Sequence, residues 1–231
     1  MVTLTSTSKL KAVLSRIDRA ARQFGRNPAA IALLAISKTW PASDIRELAA
    51  AGQRAFGESY LQEGLTKIAD LRDLALEWHF IGSLQSNKTR QIANSFDWVH
   101  SLDRLSIAER LSEQRLSSRP PLSVCLQVNI SAEASKSGVS PADTPALAHA
   151  VAALPGLRLR GLMTIPAPND DFAAQRLPFR RLRELWQQLQ ADGLALDTLS
   201  MGMSQDLEAA VAEGATMVRV GTAIFGERDT A

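Results

Sequence analysis

Lys38 has the sequence position that most directly suggests chemistry, because it ends an apolar run of strand length, IALLAISK (31–38). Burial disfavours a charged ammonium, so a lysine held among apolar side chains loses its proton more readily than one in water. A neutral amine is the nucleophile that forms Schiff bases with carbonyl compounds. The alternative is a lysine whose ammonium extends past its apolar surroundings into solvent.

A second group of residues has the composition of a phosphate site. Ser204 precedes a predicted helix in MGMSQDLEAA, and Gly221 and Thr222 follow a predicted strand in VRVGTAIFG. Glycine lets the backbone approach a ligand closely, and amides at a helix start bind phosphate. A serine before a helix is also an ordinary cap, so this pattern is weak alone. Combined with Lys38, it favours a phosphorylated carbonyl compound, and pyridoxal 5′-phosphate (PLP) is the obvious candidate.

The hydrophobic pattern predicts the elements that would bring these residues together. Apolar runs of strand length alternate with stretches of helical periodicity, and the predicted strands are 31–38, 54–58, 78–83, 97–102, 123–130, 157–165, 197–201 and 216–221. Continuous apolar runs suit parallel strands buried on both faces. Eight such units favour a closed (β/α)₈ TIM barrel, with a doubly wound open sheet as the alternative. In a barrel the site lies at the carboxyl ends of the strands.

An extra helix is predicted ahead of the barrel, over about residues 8–24. Its apolar residues recur at helical spacing and are expected on one buried face: Leu10, Val13, Leu14, Ile17, Ala21 and Phe24. No change in composition suggests a second domain. We therefore expect one domain over residues 1–231, with the barrel at about 31–226.

Composition makes several classes of protein improbable. The chain has 26 basic and 24 acidic residues, a net charge of +2, and no basic run interleaved with aromatics, so nucleic-acid binding is weakly supported. Cys125 is the single cysteine and is expected to be inert core. We see no signal peptide, membrane span or metal-ligand spacing, and so expect a cytoplasmic protein.

Three further groups of side chains are given structural roles. His79 is expected to be a hydrogen-bonded structural histidine, His100 sits similarly on the next strand, and His149 is expected at the surface. Four arginines of the long sixth barrel helix are expected on a solvated face: Arg176, Arg180, Arg181 and Arg183.

Seven sequence blocks resemble the pyridoxal phosphate homeostasis protein family. They occur in the family's order and span about residues 31–226: LLAISKTWP, FGESYLQEG, LEWHFIGSLQSNK, SAEASKSG, RGLMTIP, LSMGMSQD and MVRVGTAIFG. The resemblance implies a barrel like the N-terminal domain of alanine racemase (PLP fold type III). It also implies a role in PLP and vitamin B6 homeostasis, without established catalytic turnover.

The resemblance also implies roles for individual residues. PLP would be held as an internal aldimine on Lys38, with its phosphate at Ser204, Gly221 and Thr222. Arg219 would face the pyridine nitrogen, where a fixed cation keeps that nitrogen unprotonated. The family usually has asparagine where this chain has Ser59, which we expect to be a cofactor contact. Lys136, in SAEASKSG, is either a residue near the cofactor or a loop lysine.

Three functions remain in competition after this reading. The first is a PLP-binding homeostasis protein that stores or delivers the cofactor, with apo forms of PLP-dependent enzymes as the expected partners. The second is an amino-acid racemase-type PLP enzyme, which needs a second base besides Lys38. The chain ends shortly after strand 8 and Tyr60 is its only tyrosine, so we favour the first, and the resemblance to the family leads us to expect a monomer. The third is a barrel for another phosphorylated ligand.

Overall fold

The chain folds into a closed barrel of eight parallel strands, seen in a computed structural model that describes residues 5–131 and 137–227. Neighbouring strands pair in sequence order, and the last strand closes the barrel by pairing with the first. The strands are β1 (Ala32–Ile36), β2 (Ala55–Glu58), β3 (Glu77–Phe80), β4 (Trp98–Leu102), β5 (Leu122–Gln127), β6 (Leu157–Met163), β7 (Thr198–Ser200) and β8 (Met217–Val220). The predicted TIM barrel is thus confirmed, and the open sheet is wrong.

Helices alternate with these strands and cover the outside of the barrel. They are α1 (Ser6–Gln23), α2 (Ala42–Ala50), α3 (Leu61–Asp70), α4 (Thr89–Ser95), α5 (Leu105–Gln114), α6 (Thr144–Ala152), α7 (Phe172–Ala191), α8 (Leu207–Ala212) and α9 (Thr222–Phe225). Most of the apolar core lies between the sheet and these helices. In the described parts of the chain, no helix is both long and apolar enough to cross a bilayer.

The predicted extra helix is present as α1 and packs against α2, α8 and α9. Thr5 caps its start, because the Thr5 side chain accepts a hydrogen bond from the Ser8 amide. The prediction for Leu14 is wrong: this side chain is 45% exposed, whereas Leu10, Val13 and Ile17 are buried. Leu14 lies at the edge of the apolar stripe, and α1 is covered on one side only.

The inside of the barrel is filled by alternate residues of the strands, since successive side chains point to opposite faces. Two small apolar clusters lie there, one around Leu34, Ile36 and Met217 and the other around Trp98, Cys125 and Met163. Between them run polar side chains, described below. Burial raises the pKa of the Cys125 thiol to about 12, which makes it inert as expected.

Candidate functional site

A cavity of about 470 Å³ opens at the carboxyl ends of the strands. All six residues that the sequence assigned to a cofactor line it: Lys38, Ser59, Ser204, Arg219, Gly221 and Thr222. They come from loops after β1, β2 and β7 and from β8 and its loop, so the barrel gathers residues far apart in sequence. Ile36, Ile81 and Ile165 supply apolar walls. The size is typical of small-molecule sites.

Lys38 stands on a backbone that is fixed on both sides. The Ser37 carbonyl accepts a hydrogen bond from Lys67 Nζ at 2.7 Å, and the Thr39 amide donates to Glu63 Oε1 at 2.5 Å. Thr39 has a φ of 70°, in the left-handed region that non-glycine residues seldom adopt. Such a conformation persists where its surroundings hold it, so these contacts set the direction in which Lys38 leaves the chain.

The contacts around Lys38 belong to an outer network that lies between β2 and α3. Lys67 Nζ pairs with Glu58 Oε1 at 2.8 Å and with Glu63 Oε1 at 2.5 Å, while Ser37 Oγ donates to Glu58 Oε1 at 2.6 Å. Burial raises the pKa of Glu58, against the opposing effect of its hydrogen bonds with Lys67 and Ser37. A buried carboxylate needs such partners to remain charged. We define these four residues as the outer network.

The phosphate-type side of the cavity is formed by the loop before α8 and the start of α9. Ser204 Oγ accepts a hydrogen bond from the Ala223 amide at 3.4 Å, next to Gly221 and Thr222. A Cβ at Gly221 would lie 3.3 Å from both the Cβ and the carbonyl oxygen of Ile36, so a side chain here would crowd β1. Glycine at position 221 therefore lets the chain pass close to β1.

α1 supports the Ser204 loop from outside. Arg16 donates to both carboxylate oxygens of Glu208, at 3.0 and 2.9 Å, and to the Ser204 carbonyl at 3.1 Å. The paired geometry fixes the guanidinium group. The sequence placed α1 correctly but gave no indication that it reaches the site, because the contact joins residues 188 positions apart.

Arg219 forms the floor of the cavity and is 4% exposed. One terminal nitrogen donates to the Ser200 carbonyl and hydroxyl at 2.5 and 2.9 Å, and the other donates to the Thr164 carbonyl at 2.9 Å. Burial lowers the pKa of Arg219 to about 10, so the side chain stays cationic at neutral pH. A cation held at a fixed position can oppose protonation of a basic group placed against it.

Ser59 lies where this cavity meets a second one of about 500 Å³, which Tyr60, Gln62, Gln85 and Lys88 also line. The chain passes very close here, since a Cβ at Gly82 would lie 2.0 Å from the Ser59 carbonyl oxygen. Glycine at position 82 is therefore required for this close approach. Lys136 lies outside the described residues.

The remaining polar predictions have mixed outcomes. His79 and His100 are fully buried and hydrogen-bonded, as expected of structural histidines, and His149 is exposed. The predicted arginine face of α7 is not simply solvated, because three of its arginines form ion pairs with the buried Glu213: Arg176, Arg180 and Arg183. No cluster of three metal-ligand side chains occurs within residues 5–131 and 137–227.

The donors around the cavity fit the groups of PLP. Lys38 would supply an amine for the aldehyde, and Ser204 with the backbone at Gly221 and Thr222 would supply an anion cradle for the phosphate. Arg219 would supply a buried cation for the ring nitrogen. Sequence reasoning identified these residues but missed Glu58, Glu63 and Lys67 behind Lys38. The i,i+4 spacing of Glu63 and Lys67 on α3 was the available indication.

Known proteins resemble this chain over nearly its whole length. The family model described as "Alanine racemase, N-terminal domain" matches residues 9–229. A pyridoxal phosphate homeostasis protein of Pseudomonas aeruginosa is 63% identical over 225 residues, covering 97% of this chain and 96% of the relative. One from Escherichia coli K12 is 54% identical and covers 95% of each chain.

Solved structures agree with these matches. PipY of Synechococcus elongatus PCC7942, solved with PLP bound, is 41% identical with a TM-score of 0.80, covering 91% of this chain and 99% of PipY. Alanine racemase of Corynebacterium glutamicum, 19% identical with a TM-score of 0.68, shares the fold over 93% of this chain and 61% of its own length. The chain belongs to the pyridoxal phosphate homeostasis protein family and carries the alanine racemase N-terminal domain.

Proposed function

We propose that this protein binds PLP at the barrel mouth and holds it on Lys38 for storage or delivery, as part of PLP and vitamin B6 homeostasis. The observation that carries the proposal is that one cavity is lined at once by Lys38, Ser204, Arg219, Gly221 and Thr222. The homologues named as homeostasis proteins, and PipY with PLP bound, support it.

Each residue of the site has a separate task in this proposal. Lys38 attaches the aldehyde carbon covalently with loss of one water, and the outer network keeps its amine aimed into the cavity. Ser204 and the backbone at Gly221 and Thr222 bind the phosphate, while Arg219 holds a positive charge against the ring nitrogen. Ser59 contacts the ring edge. Bound PLP supplies an aldehyde that can be passed on, or an electron sink whose strength Arg219 limits.

A carrier role fits the titratable groups of the cavity better than a racemase-type role. Racemisation needs a base on each face of the substrate carbon. Of the described residues lining the cavity, Lys38, Asp206 and Arg219 are titratable. Asp206 already accepts a hydrogen bond from the Met203 amide at 2.5 Å, and Tyr60 lines the second cavity instead. Each missing general acid or base costs about 10²–10⁴ in rate.

The proposal extends to how the protein works in the cell. We propose a single domain over residues 1–231 that acts as a monomer in the cytoplasm and passes PLP to apo forms of PLP-dependent enzymes. The barrel and α1 pack against each other without a break in the described residues, which supports the single domain. The open mouth leaves Lys38 half-buried, so a bound cofactor stays accessible.

Two assays on the same PLP-loaded sample test the carrier role. Freed of unbound PLP, the protein should restore activity to the apo form of a PLP-dependent enzyme. In deuterium oxide, a panel of L- and D-amino acids should show undetectable or marginal exchange of the α-proton. Exchange at ordinary enzyme rates of about 1–10³ s⁻¹, lost in Lys38→Ala, would establish an enzyme instead.

A further inference from the structure

A chain of polar side chains crosses the inside of the barrel from its amino-terminal end to Arg219. Glu77 Oε1 lies 2.7 Å from His79 Nε2, His79 Nδ1 lies 2.9 Å from His100 Nε2, and His100 Nδ1 lies 2.8 Å from Ser200 Oγ. Ser200 Oγ lies 2.9 Å from Arg219. We define Glu77, His79, His100 and Ser200 as the inner chain, and its members come from β3, β4 and β7.

The hydrogen bonds of the inner chain have one consistent direction when both histidines are neutral. A guanidinium can only donate, so Ser200 Oγ accepts from Arg219, and its own proton can go to His100 Nδ1. The ionised carboxylate of Glu77 can only accept, and this fixes the direction along the whole chain. His100 then carries its proton on Nε2 and donates to His79 Nδ1. His79 likewise donates from Nε2 to the Glu77 carboxylate. Every donor points toward Glu77, and bonds aligned in this way strengthen one another.

The charges around the inner chain favour this arrangement. Burial lowers the pKa of His79 and, further, that of His100, which also lies near the cation of Arg219. The hydrogen bond from His79 lowers the pKa of Glu77, which is half-exposed at the barrel end. Asp97 raises the pKa of His79, against the larger effect of burial, and Arg160 lowers the pKa of Glu77. The Trp98 ring stacks on the His79 ring. Both histidines are therefore neutral, and they lie between the anion of Glu77 and the cation of Arg219.

Arg219 depends on this chain because its direct hydrogen bonds, within the described residues, go to neutral acceptors on Ser200 and Thr164. A buried cation without a contacting carboxylate is costly. Asp206 at the rim raises the pKa of Arg219, against the larger effect of burial. The carboxylate that the inner chain links to Arg219 is that of Glu77, at the far end of the barrel.

We propose that the inner chain is a positioning device for Arg219, which fixes the guanidinium at the cavity floor and couples its charge to Glu77. This inference rests on the proposed function, in which Arg219 faces the ring nitrogen of PLP. Ser200 and both histidines act through Arg219 and do not touch the cofactor. The consequence is that groups far below the cavity set the pH at which bound PLP changes its absorbance.

The direction of the chain can be read without cofactor, by ¹⁵N–¹H NMR of the imidazole groups in the apo protein. His79 and His100 should both be neutral at pH 7 with the proton on Nε2, and His149, the remaining histidine, is exposed and serves as the reference signal. A proton on Nδ1 of His79 or His100, or a charged ring at pH 7, would overturn the proposal.

The coupling to the cofactor site is tested by a pH titration of the absorbance of bound PLP. Ser200→Ala interrupts the inner chain but keeps the main-chain carbonyl at position 200 that accepts from Arg219. Glu77→Gln keeps a hydrogen-bond acceptor but removes the negative charge. Each should shift the midpoint by about half a pH unit or more, and His149→Gln should not. If Ser200→Ala does not fold, the half-exposed Glu77 gives the decisive variant.

Failure of this inference is distinguishable from failure of the proposed function. Wild-type protein that takes up no PLP contradicts the proposed function, whatever the histidine tautomers are. Protein that loads PLP on Lys38 but keeps the same midpoint in both variants contradicts the positioning role alone.

Discussion

Two polar networks lie behind the cavity, and they solve different problems. The outer network is built of charged groups in direct contact and fixes the main chain on both sides of Lys38. The inner chain places two neutral histidines between Glu77 and Arg219 and fixes one side chain, that of Arg219. An amine that must react needs a fixed backbone with a movable tip, whereas a cation that must only oppose protonation is best held rigidly.

Lys67→Met tests the outer network and has the largest expected effect. The variant leaves Glu58 buried without its cation and the Ser37 carbonyl without its donor. Removing one partner of a buried pair costs about 3–5 kcal/mol, so urea unfolding should show a loss of that size. Lys11→Met, on the exposed face of α1, is the control and should change the free energy of unfolding by less than about 0.5 kcal/mol. Equal losses in both variants would remove the structural role given to Lys67.

The contributions of the two networks to the free energy of unfolding should change with pH in opposite directions. The folded pKa values of His79 and His100 lie below the unfolded value of about 6.5, so their contribution is present above that pH and is lost as pH falls. From pH 7.5 to 5.5 the loss is up to about 1.4 kcal/mol for each histidine. Glu58 has a raised folded pKa, so its contribution is present at low pH and is lost as pH rises.

Glu58→Gln therefore sharpens the contrast between the networks. It removes a titration of opposite sign to that of the histidines, so the loss of unfolding free energy as pH falls should be steeper than in the wild type where Glu58 takes up its proton. A wild type that gains stability over this fall in pH would contradict the neutral, buried state of the inner histidines.

Ser204→Ala tests a residue that belongs to neither network. Hydrogen bonds to charged groups contribute about 1.5–3 kcal/mol, so PLP binding should weaken by roughly tenfold or more while the free energy of unfolding stays nearly constant. Pyridoxal, which lacks the phosphate, should bind far more weakly than PLP and should lose little further affinity in the variant. Ser43→Ala, on the exposed face of α2, is the matched control. Equal binding of PLP and pyridoxal by the wild type would contradict the assignment of a phosphate site at Ser204.

The sequence predicted the barrel well because its strands are continuous apolar runs separated by turn residues. It also predicted that Lys38, Ser204 and Gly221 meet, since carboxyl ends of parallel strands share one edge. The two networks were missed because each joins residues from different strands or helices, as with His100 and Ser200, 100 positions apart. Local pattern carries no information on such pairs. The prediction for Leu14 was wrong because periodicity does not reveal where the buried stripe of a helix ends.

Borohydride reduction of the PLP-loaded protein, followed by peptide mapping, tests the central claim most directly. The account predicts one pyridoxyl group per chain on the peptide containing Lys38, and no such label in Lys38→Ala, which keeps the phosphate contacts. Only an amine that reaches the PLP aldehyde is labelled, so the labelled lysine identifies the binding site directly. Labelling mainly at Lys88, in the second cavity, or at Lys136 would contradict the assignment of Lys38 as the residue that holds PLP.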